Sequence, residues 1–482
     1  MKVLQISAEI FPLLKTGGLA DIAGALPTAL IAAGCDVRVL LPGFSPIMAD
    51  LQDSTVLTEL TAPWGERLML RQGSLTSLGV MAYVIDVPAL YCRPGSPYED
   101  AQRKPYTDNY RRFALLGWVG AQLAGGLDAQ WQPRVLHSHD WHAALTSAYM
   151  AFSPAQRVHV ASVYTVHNLA YQGLFAPRHF YELGLPPAAF AVDGLEFHGQ
   201  MSFMKAGLYY SDHITTVSPS YAREIQTSEQ GCGLDGLLRA RSDELTGILN
   251  GVDETVWDPA YDPTIAYPFD AQKPAGKARC KTVLQQELGL AVQGDAPLFG
   301  IVSRLTEQKG LHLVLNVLDE LLARGGQLVL LGAGDASLEA AFRERATADP
   351  QAISVHIGYD ESYAHKIFAG TDVTLVPSRF EPCGLTQMYG LKYGSLPLVH
   401  CVGGLADTVV DCSLENLANE TANGFVFHHF DTEAMVRAIA RAFALYARKA
   451  EWRTVRTRAM SQSLGWDNAA AQYVALYRRL CP

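Results

Sequence analysis

Several short stretches of the 482-residue chain hold side chains suited to binding anions or transferring protons. KTGGLAD sets Lys15 just before Gly17 and Gly18, where a helix-like run begins. Free backbone N–H groups at a helix start attract an anion, and paired glycines let the backbone approach it closely. A plain tight turn would use the same glycines, and Asp21 would then only offset the helix dipole. SRLTEQKG places Arg304 and Lys309 five residues apart where a strand hands over to a helix. Arg grips phosphate oxygens as a fork and Lys acts as a mobile point charge, so together they suit a diphosphate and can neutralise a departing nucleotide without a metal. Solvated loop charges are the plainer alternative. In SRFEPCGLTQ, Glu381 lies on a rigid, rather apolar loop where a carboxylate can be aimed at hydroxyl groups, and Gly384 to Thr386 open the next helix. Cys383 reads as a small buried filler, with no base nearby in sequence to make it a nucleophile.

HSHDWH aligns His137, His139 and His142 with the first, third and sixth positions of the HxHxDH motif that wraps a zinc pair in metallo-β-lactamase-like hydrolases. Asp140 falls one residue too early for it, and that fold needs further ligands later in the chain, so a metal site is the weaker reading. His167 in YTVHNLAYQG follows a β-rich run, where a lone histidine serves structure more often than catalysis.

The elements that must position these residues are legible from periodicity and punctuation. Lys2 to Ser7 reads as a buried strand, LADIAGALPTALIAAG as a helix closed by Gly34, and VRVLLP as the next strand. Strand, glycine turn, helix, strand is a βαβ unit, which implies a parallel sheet with ligands at the carboxyl ends of its strands. The grammar restarts near Pro297 with LFGIVSR, LHLVLNVLDELLARG and QLVLLG, and continues through ISVHIG, DVTLVPS and SLPLVHC as a doubly wound sheet. Two lobes with a cleft follow, at residues 1–250 and 277–459, joined by the Asp-, Pro- and Tyr-rich stretch 251–276. Trp466, Ala470, Tyr473, Val474 and Tyr477 share one face of a helical tail, 460–482, which is expected to complete the first lobe.

Hydrophobic residues at 49% and charged residues at 18% describe a folded, non-repetitive protein. A formal charge of -10 argues against a broad nucleic-acid face. The eight cysteines form no CxxC pair, so neither a zinc ribbon nor a disulfide framework fits, and a reducing cytoplasm is the simplest setting. The opening apolar run meets Glu9 before it can serve as a signal-peptide core, and no stretch of about twenty uncharged apolar residues occurs to span a membrane.

Taken in order, KTGGLAD, HSHDWH, YTVHNLAYQGLF, SFMKAGLYYSDHITTVSPSYAREI, ILNGVD, SRLTEQKG and FEPCGLTQMYGLKYGSLPLV resemble the bacterial glycogen synthases and plant starch synthases over nearly the whole chain. The resemblance implies an α/β GT-B fold of two Rossmann-like lobes facing a cleft, the first on the acceptor side and the second on the nucleotide-sugar donor side. It implies ADP-glucose as donor, the non-reducing 4-hydroxyl of an α-1,4-glucan as acceptor, retention of configuration, and no metal or other cofactor. Lys15, Arg304 and Lys309 then match diphosphate-binding cations, while Gly18, Asp21 and the Cys383, Gly384, Leu385, Thr386 segment fall in the donor-binding loops. Tyr359 is expected against adenine, and Glu381 and Asn250 near the transferred glucose. His167 is expected beneath the reacting carbon with Asn168 beside it, and Asp140 and Tyr98 near glucose or acceptor. By this resemblance His167, Glu381, Asp140, Lys309 and Arg304 form the catalytic group.

Two departures from the family pattern bear on donor preference more than on reaction type. His400 and Cys401 stand where the family usually has two arginines, and His312 stands where Asp is common. The alternatives are a same-fold transferase using UDP-glucose or another acceptor, a zinc hydrolase built on HSHDWH, and a glucan-binding protein without activity.

Overall fold

The computed structural model describes residues 1–153 and 160–481. The chain divides into two units, Met1–Gly251 with Trp466–Pro482, and Val252–Gly465.

Unit 1 is built on strands β1 (Lys2–Ile6), β2 (Asp36–Pro42), β3 (Leu51–Thr61), β4 (Arg67–Leu75), β5 (Val80–Asp86), β6 (Val135–His139), β7 (Ala161–Val166), β8 (Leu174–Phe175), β9 (Glu196–Phe197), β10 (Gln200–Ser202), β11 (His213–Thr216) and β12 (Leu245–Gly247). Nine of these form one sheet in the order β12-β11-β7-β6-β1-β2-β5-β4-β3. The strands from β12 to β5 pair in parallel, and β4 and β3 add an antiparallel edge. β8, β10 and β9 make a separate small antiparallel sheet. β1 and β7 are buried along nearly their whole length, as strands inside a parallel sheet are, although Gln5, Ser162 and Thr165 interrupt their apolar residues. On one face, Ile22, Leu26 and Leu30 of the helix Gly18–Ala32 pack in one core with Ala470, Tyr473 and Tyr477 of the final helix, Trp466–Leu480.

Unit 2 carries β13 (Leu298–Val302), β14 (Gln327–Gly332), β15 (Ile353–Ile357), β16 (Val373–Val376), β17 (Leu396–His400) and β18 (Phe425–Phe427), all parallel, in the order β15-β14-β13-β16-β17-β18. Phe299, Ile301, Leu328, Leu330 and Leu398 from its strands join Leu318, Met435 and Trp452 from its helices in one core.

Two boundaries differ from those read in the sequence. The stretch 251–276 is not a free connector, because from Val252 on it is packed into unit 2 and its end already enters the helix Ala275–Glu287. Trp257 is sandwiched between His365 and Tyr389 at 3.8 Å on either side, and Asp262 accepts hydrogen bonds from the His365 ring and Tyr393 hydroxyl, both at 2.6 Å. Aperiodic composition hid this, since the segment buries single anchors rather than a repeating face. The tail is also shorter than 460–482: the helical pattern breaks at Gly465, leaving Lys449–Met460 on the core of unit 2 through Trp452, Val455 and Ala459. A backbone bond from Val252 to the Leu464 carbonyl, 2.7 Å, ties the beginning of unit 2 to its end.

Candidate active site

In each parallel sheet the strand order reverses once, and ligands in such sheets gather beyond the strand ends at that reversal. In unit 1 it lies between β1 and β6, and in unit 2 between β13 and β16.

The loop after β1 carries Glu9, Lys15 and the Gly17–Gly18 entry to the helix Gly18–Ala32. Lys15 Nζ lies 2.7 Å from Asp21 Oδ1, a local pair in the helix's first turn. Glu9 accepts from the Thr16 backbone N–H (2.6 Å), the Thr16 hydroxyl (2.5 Å) and the Tyr98 hydroxyl, so it pins the glycine loop and Tyr98 together. Sequence reasoning does not single it out as a site residue; its signal is a carboxylate just past the first strand and a few residues before the glycines. Tyr98 stacks on His142, ring centroids 4.7 Å apart.

β6 ends at His139, and Asp140 follows with a left-handed φ of 54°, an uncommon conformation for a residue other than glycine. Its Oδ1 accepts from the backbone N–H groups of His167 (2.8 Å) and Asn168 (3.4 Å), which joins the ends of β6 and β7. Burial lifts the Asp140 carboxyl to about 7 despite those hydrogen bonds. The Asn168 side chain accepts from the Ala170 backbone at 3.0 Å. His167 is buried, which holds its imidazole down at about 3, and its Nδ1 has no hydrogen-bond partner. Asn250 is also buried, and neither of its amide atoms has a partner. Unmet buried polar atoms are costly, so each of these fits a place where a ligand hydroxyl completes the bonding.

Two of the HSHDWH histidines have both ring nitrogens engaged by other side chains, while His142 Nδ1 has no hydrogen-bond partner. His137 uses both ring nitrogens on Tyr477 (2.7 Å) and Thr165 (2.5 Å), and His139 uses both on His167 (2.9 Å) and Gln5 (2.5 Å). Among the described residues no three His, Cys, Asp or Glu side chains are grouped to hold a metal ion.

In unit 2, Arg304 and Lys309 lie on the loop after β13, and Glu381 on the loop after β16. Lys309 Nζ is 2.5 Å from Glu381 Oε2, which also accepts from the Ser378 hydroxyl at 2.8 Å. The loops are tied through their backbones, with Arg379 N–H on the Gln308 carbonyl at 2.8 Å. Gly310 closes the first loop at φ 68°, where a Cβ would lie 2.0 Å from the Pro377 carbonyl oxygen. Only glycine lets the loops meet there. Cys383 is buried and, with the Glu381 backbone, is pressed by Gly403 and Gly404: Cβ atoms on these would lie 1.9 Å from the Glu381 and Cys383 carbonyl oxygens. Gly384 is left-handed, Leu385 caps the helix Thr386–Lys392, and Thr386 begins it. Arg304 is exposed, and Tyr359 is 74% exposed with its hydroxyl 2.5 Å from Glu361, so most of its ring lies at the surface. His400 turns inward: its Nδ1 lies 2.9 Å from the Ser378 carbonyl oxygen and its ring stacks on Phe427. His312 packs edge-on to Phe430.

Residues 2–240 match the family model described as the starch synthase catalytic domain, and residues 288–455 that of glycosyl transferases group 1. The chain is 63% identical to a glycogen synthase of Variovorax paradoxus, with 99% of each chain covered, and 57% identical to one of Leptothrix cholodnii over the full length of both. Its structure is similar to that of the catalytic domain of starch synthase IV from Arabidopsis thaliana bound to ADP and acarbose, with a TM-score of 0.90, 31% identity and 99% of each chain covered.

Proposed function

Because the chain belongs to the glycogen synthase family of glycosyltransferases, we propose that it moves glucose from ADP-glucose to the non-reducing 4-hydroxyl of an α-1,4-glucan with retention of configuration. The observation that carries this reading is the strand-end crevice of unit 2, where the cationic loop of Arg304 and Lys309 is bonded to the Glu381 loop. That the similar Arabidopsis starch synthase IV domain binds ADP and acarbose supports a nucleotide and a glucan-like ligand here. Unit 2 is assigned the nucleotide: Arg304 and Lys309 for the diphosphate, the Gly384–Thr386 backbone for phosphate, and Tyr359 for adenine. Unit 1 is assigned the glucose and acceptor through His167, Asn168, Asn250, Asp140 and Tyr98, with Lys15 and Gly18 adding phosphate contacts.

Cleavage of the sugar carbon–oxygen bond leaves negative charge on ADP and positive charge on the ring. Lys and Arg stabilise the first without a metal, and oxygen-bearing groups stabilise the second. Retention by same-face attack, assisted by the leaving phosphate, fits better than a covalent enzyme intermediate. The conspicuous groups of the unit 2 loops are cations suited to that leaving phosphate, Arg304 and Lys309, the second held beside Glu381. The eight cysteines are all thiols, which suits action in the reducing cytoplasm.

The test is incubation of purified protein with glycogen and either labelled ADP-glucose or labelled UDP-glucose, with polymer-bound label counted before and after chelation. Preferential incorporation from ADP-glucose, unchanged by chelator, is expected. Preference for UDP-glucose, or loss of activity on chelation, overturns the corresponding part of the reading.

A further inference from the structure

Beneath His167 runs a row of hydrogen-bonded side chains that the proposed chemistry leaves unused. It begins on the final helix, where the Tyr477 hydroxyl lies 2.7 Å from His137 Nδ1. Gln5, on β1, points its Nε2 at the same nitrogen, 3.1 Å, and at the Tyr477 oxygen, 3.4 Å. Its Oε1 lies 2.5 Å from His139 Nε2, and His139 Nδ1 lies 2.9 Å from His167 Nε2. The row ends at His167 Nδ1, buried and without a partner. Gln5 and the three imidazoles are all buried.

An amide has a fixed polarity, and a neutral imidazole has one proton, so each bond dictates the next. The rings are neutral because burial disfavours the imidazolium: His137 and His167 are held down at about 3, and His139 well below its ordinary value. The Gln5 carbonyl oxygen can only accept, so His139 carries its proton on Nε2. His139 Nδ1 is then a lone pair, which requires His167 to carry its proton on Nε2. What remains at His167 Nδ1 is an acceptor. At the other end His137 Nδ1 is the acceptor, with the Tyr477 hydroxyl at 2.7 Å the nearer donor and Gln5 Nε2 at 3.1 Å the farther, leaving Nε2–H to donate to Thr165, 2.5 Å away. Turning the amide over reverses every step and leaves a buried N–H at His167 with nothing to receive it, which is a rarer state than an unmet acceptor.

We infer that Gln5 and His139 are positioning residues that fix His167 as its Nε2–H tautomer, so that Nδ1 meets the substrate as an acceptor for a sugar O–H. This rests on the assignment of His167 to the transferred glucose. Neither Gln5 nor His139 touches the sugar; they act through the ring between. The tautomer of a histidine is set by the bond its other nitrogen makes, and here that bond is set two residues further back.

The test begins with the full-length, unliganded protein labelled with ¹⁵N at its histidines. Long-range proton–nitrogen correlations at pH 7 are expected to show His139 and His167 protonated at Nε2 and bare at Nδ1. A proton on His167 Nδ1 overturns the inference, whatever the activity. In His139→Phe, which keeps a ring but removes the acceptor, the His167 signal is expected to split between tautomers. Turnover should fall about tenfold, the lower end of the loss seen when the outer-shell partner of a metal-bound histidine is removed, with KM for glycogen within about twofold. Unchanged turnover in that folded variant also overturns it; if the variant does not fold, the wild-type spectrum decides. Should the wild type transfer no glucose at all, the functional reading fails while the tautomer result still stands on its own.

Discussion

On β6 and just past β6 and β7, burial holds His137 and His167 down at about 3 and lifts Asp140 to about 7, whereas beyond β13 and β16 Lys309 and Glu381 stand 2.5 Å apart as an ion pair. The two crevices occupy equivalent places in their sheets, at the point where strand order reverses. Unit 1 holds charges too, but Lys15 is paired with Asp21 and Glu9 is tied to Thr16 and Tyr98. Its deeper imidazoles are neutral hydrogen-bonders. The comparison teaches that the shared scaffold fixes only where a ligand sits, and the loops fix its chemistry. A neutral, partly unsatisfied crevice suits the hydroxyls of a sugar, and a charged one suits a diphosphate.

Removing charge from unit 2 should therefore cost most. Lys309→Ala or Arg304→Ala is expected to cut turnover on the order of 100-fold, the loss typical of deleting one preorganised electrostatic partner, measured as labelled glucose incorporated into glycogen. Near-normal activity in either folded variant would break the contrast between the units. Glu381→Gln is a sharper and smaller probe. It keeps the shape and the Ser378 contact but removes the negative charge that holds Lys309. A fall of about tenfold in turnover is expected, less than the loss of the cation itself. A fall larger than that of Lys309→Ala would mean that Glu381 acts on the sugar rather than through the lysine.

In unit 1 the informative variable is pH. With its carboxyl lifted to about 7 by burial, Asp140 is mostly protonated below that pH and mostly ionised above it. On the proposed assignment of Asp140 to the sugar side, a carboxylate there would favour the developing positive ring, so turnover is expected to rise a few-fold as pH passes through about 7. Asp140→Asn should flatten that rise. A variant that keeps the same limb would place the titration elsewhere.

The parts of this architecture that are legible in the sequence are those with a local signature. LFGIVSR, QLVLLG and DVTLVPS are buried parallel strands whose apolar runs and following glycines announce them, and they appear as β13, β14 and β16. The antiparallel edge is not legible, because β3 is exposed along most of its length and carries no apolar alternation. The small sheet β8-β10-β9 escapes notice because strands of two or three residues are too short to show a period. Within the sites, Lys309 and Glu381 are legible as chemistry on loops after strands. The Gln5 row is not: it joins residues 472 positions apart, and a hydrogen bond of that kind leaves no mark on the sequence around either end.

The smallest expected effect is on stability, and it separates the units by pH. His137, His139, His142, His167 and His213 of unit 1 are all held below the ordinary 6.5 by burial, His137 and His167 at about 3 and His213 at about 4. A depressed folded value means that the unfolded chain takes up protons first. The stability these rings contribute is thus present above 6.5 and drains away as pH falls toward 3. Asp140 runs the other way, its contribution complete below 3.8 and lost as pH rises through about 7, but it is one group against five. In unit 2, His400 is also lowered by burial, yet His365 is paired with Asp262. Burial opposes ionisation of that carboxyl, but bonds from His365, Thr264 and Tyr393 outweigh it and hold Asp262 at about 2, so its contribution persists above 3.8 and is lost only as pH falls toward 2. Acidification from pH 7 to 5 is therefore expected to loosen unit 1 before unit 2. Amide hydrogen exchange would show it as faster exchange in Val135–His139 and Ala161–Val166 with Leu298–Val302 still protected. The reverse order would mean that the buried histidines of unit 1 are reached by water and that its crevice is not the neutral counterpart of the one in unit 2.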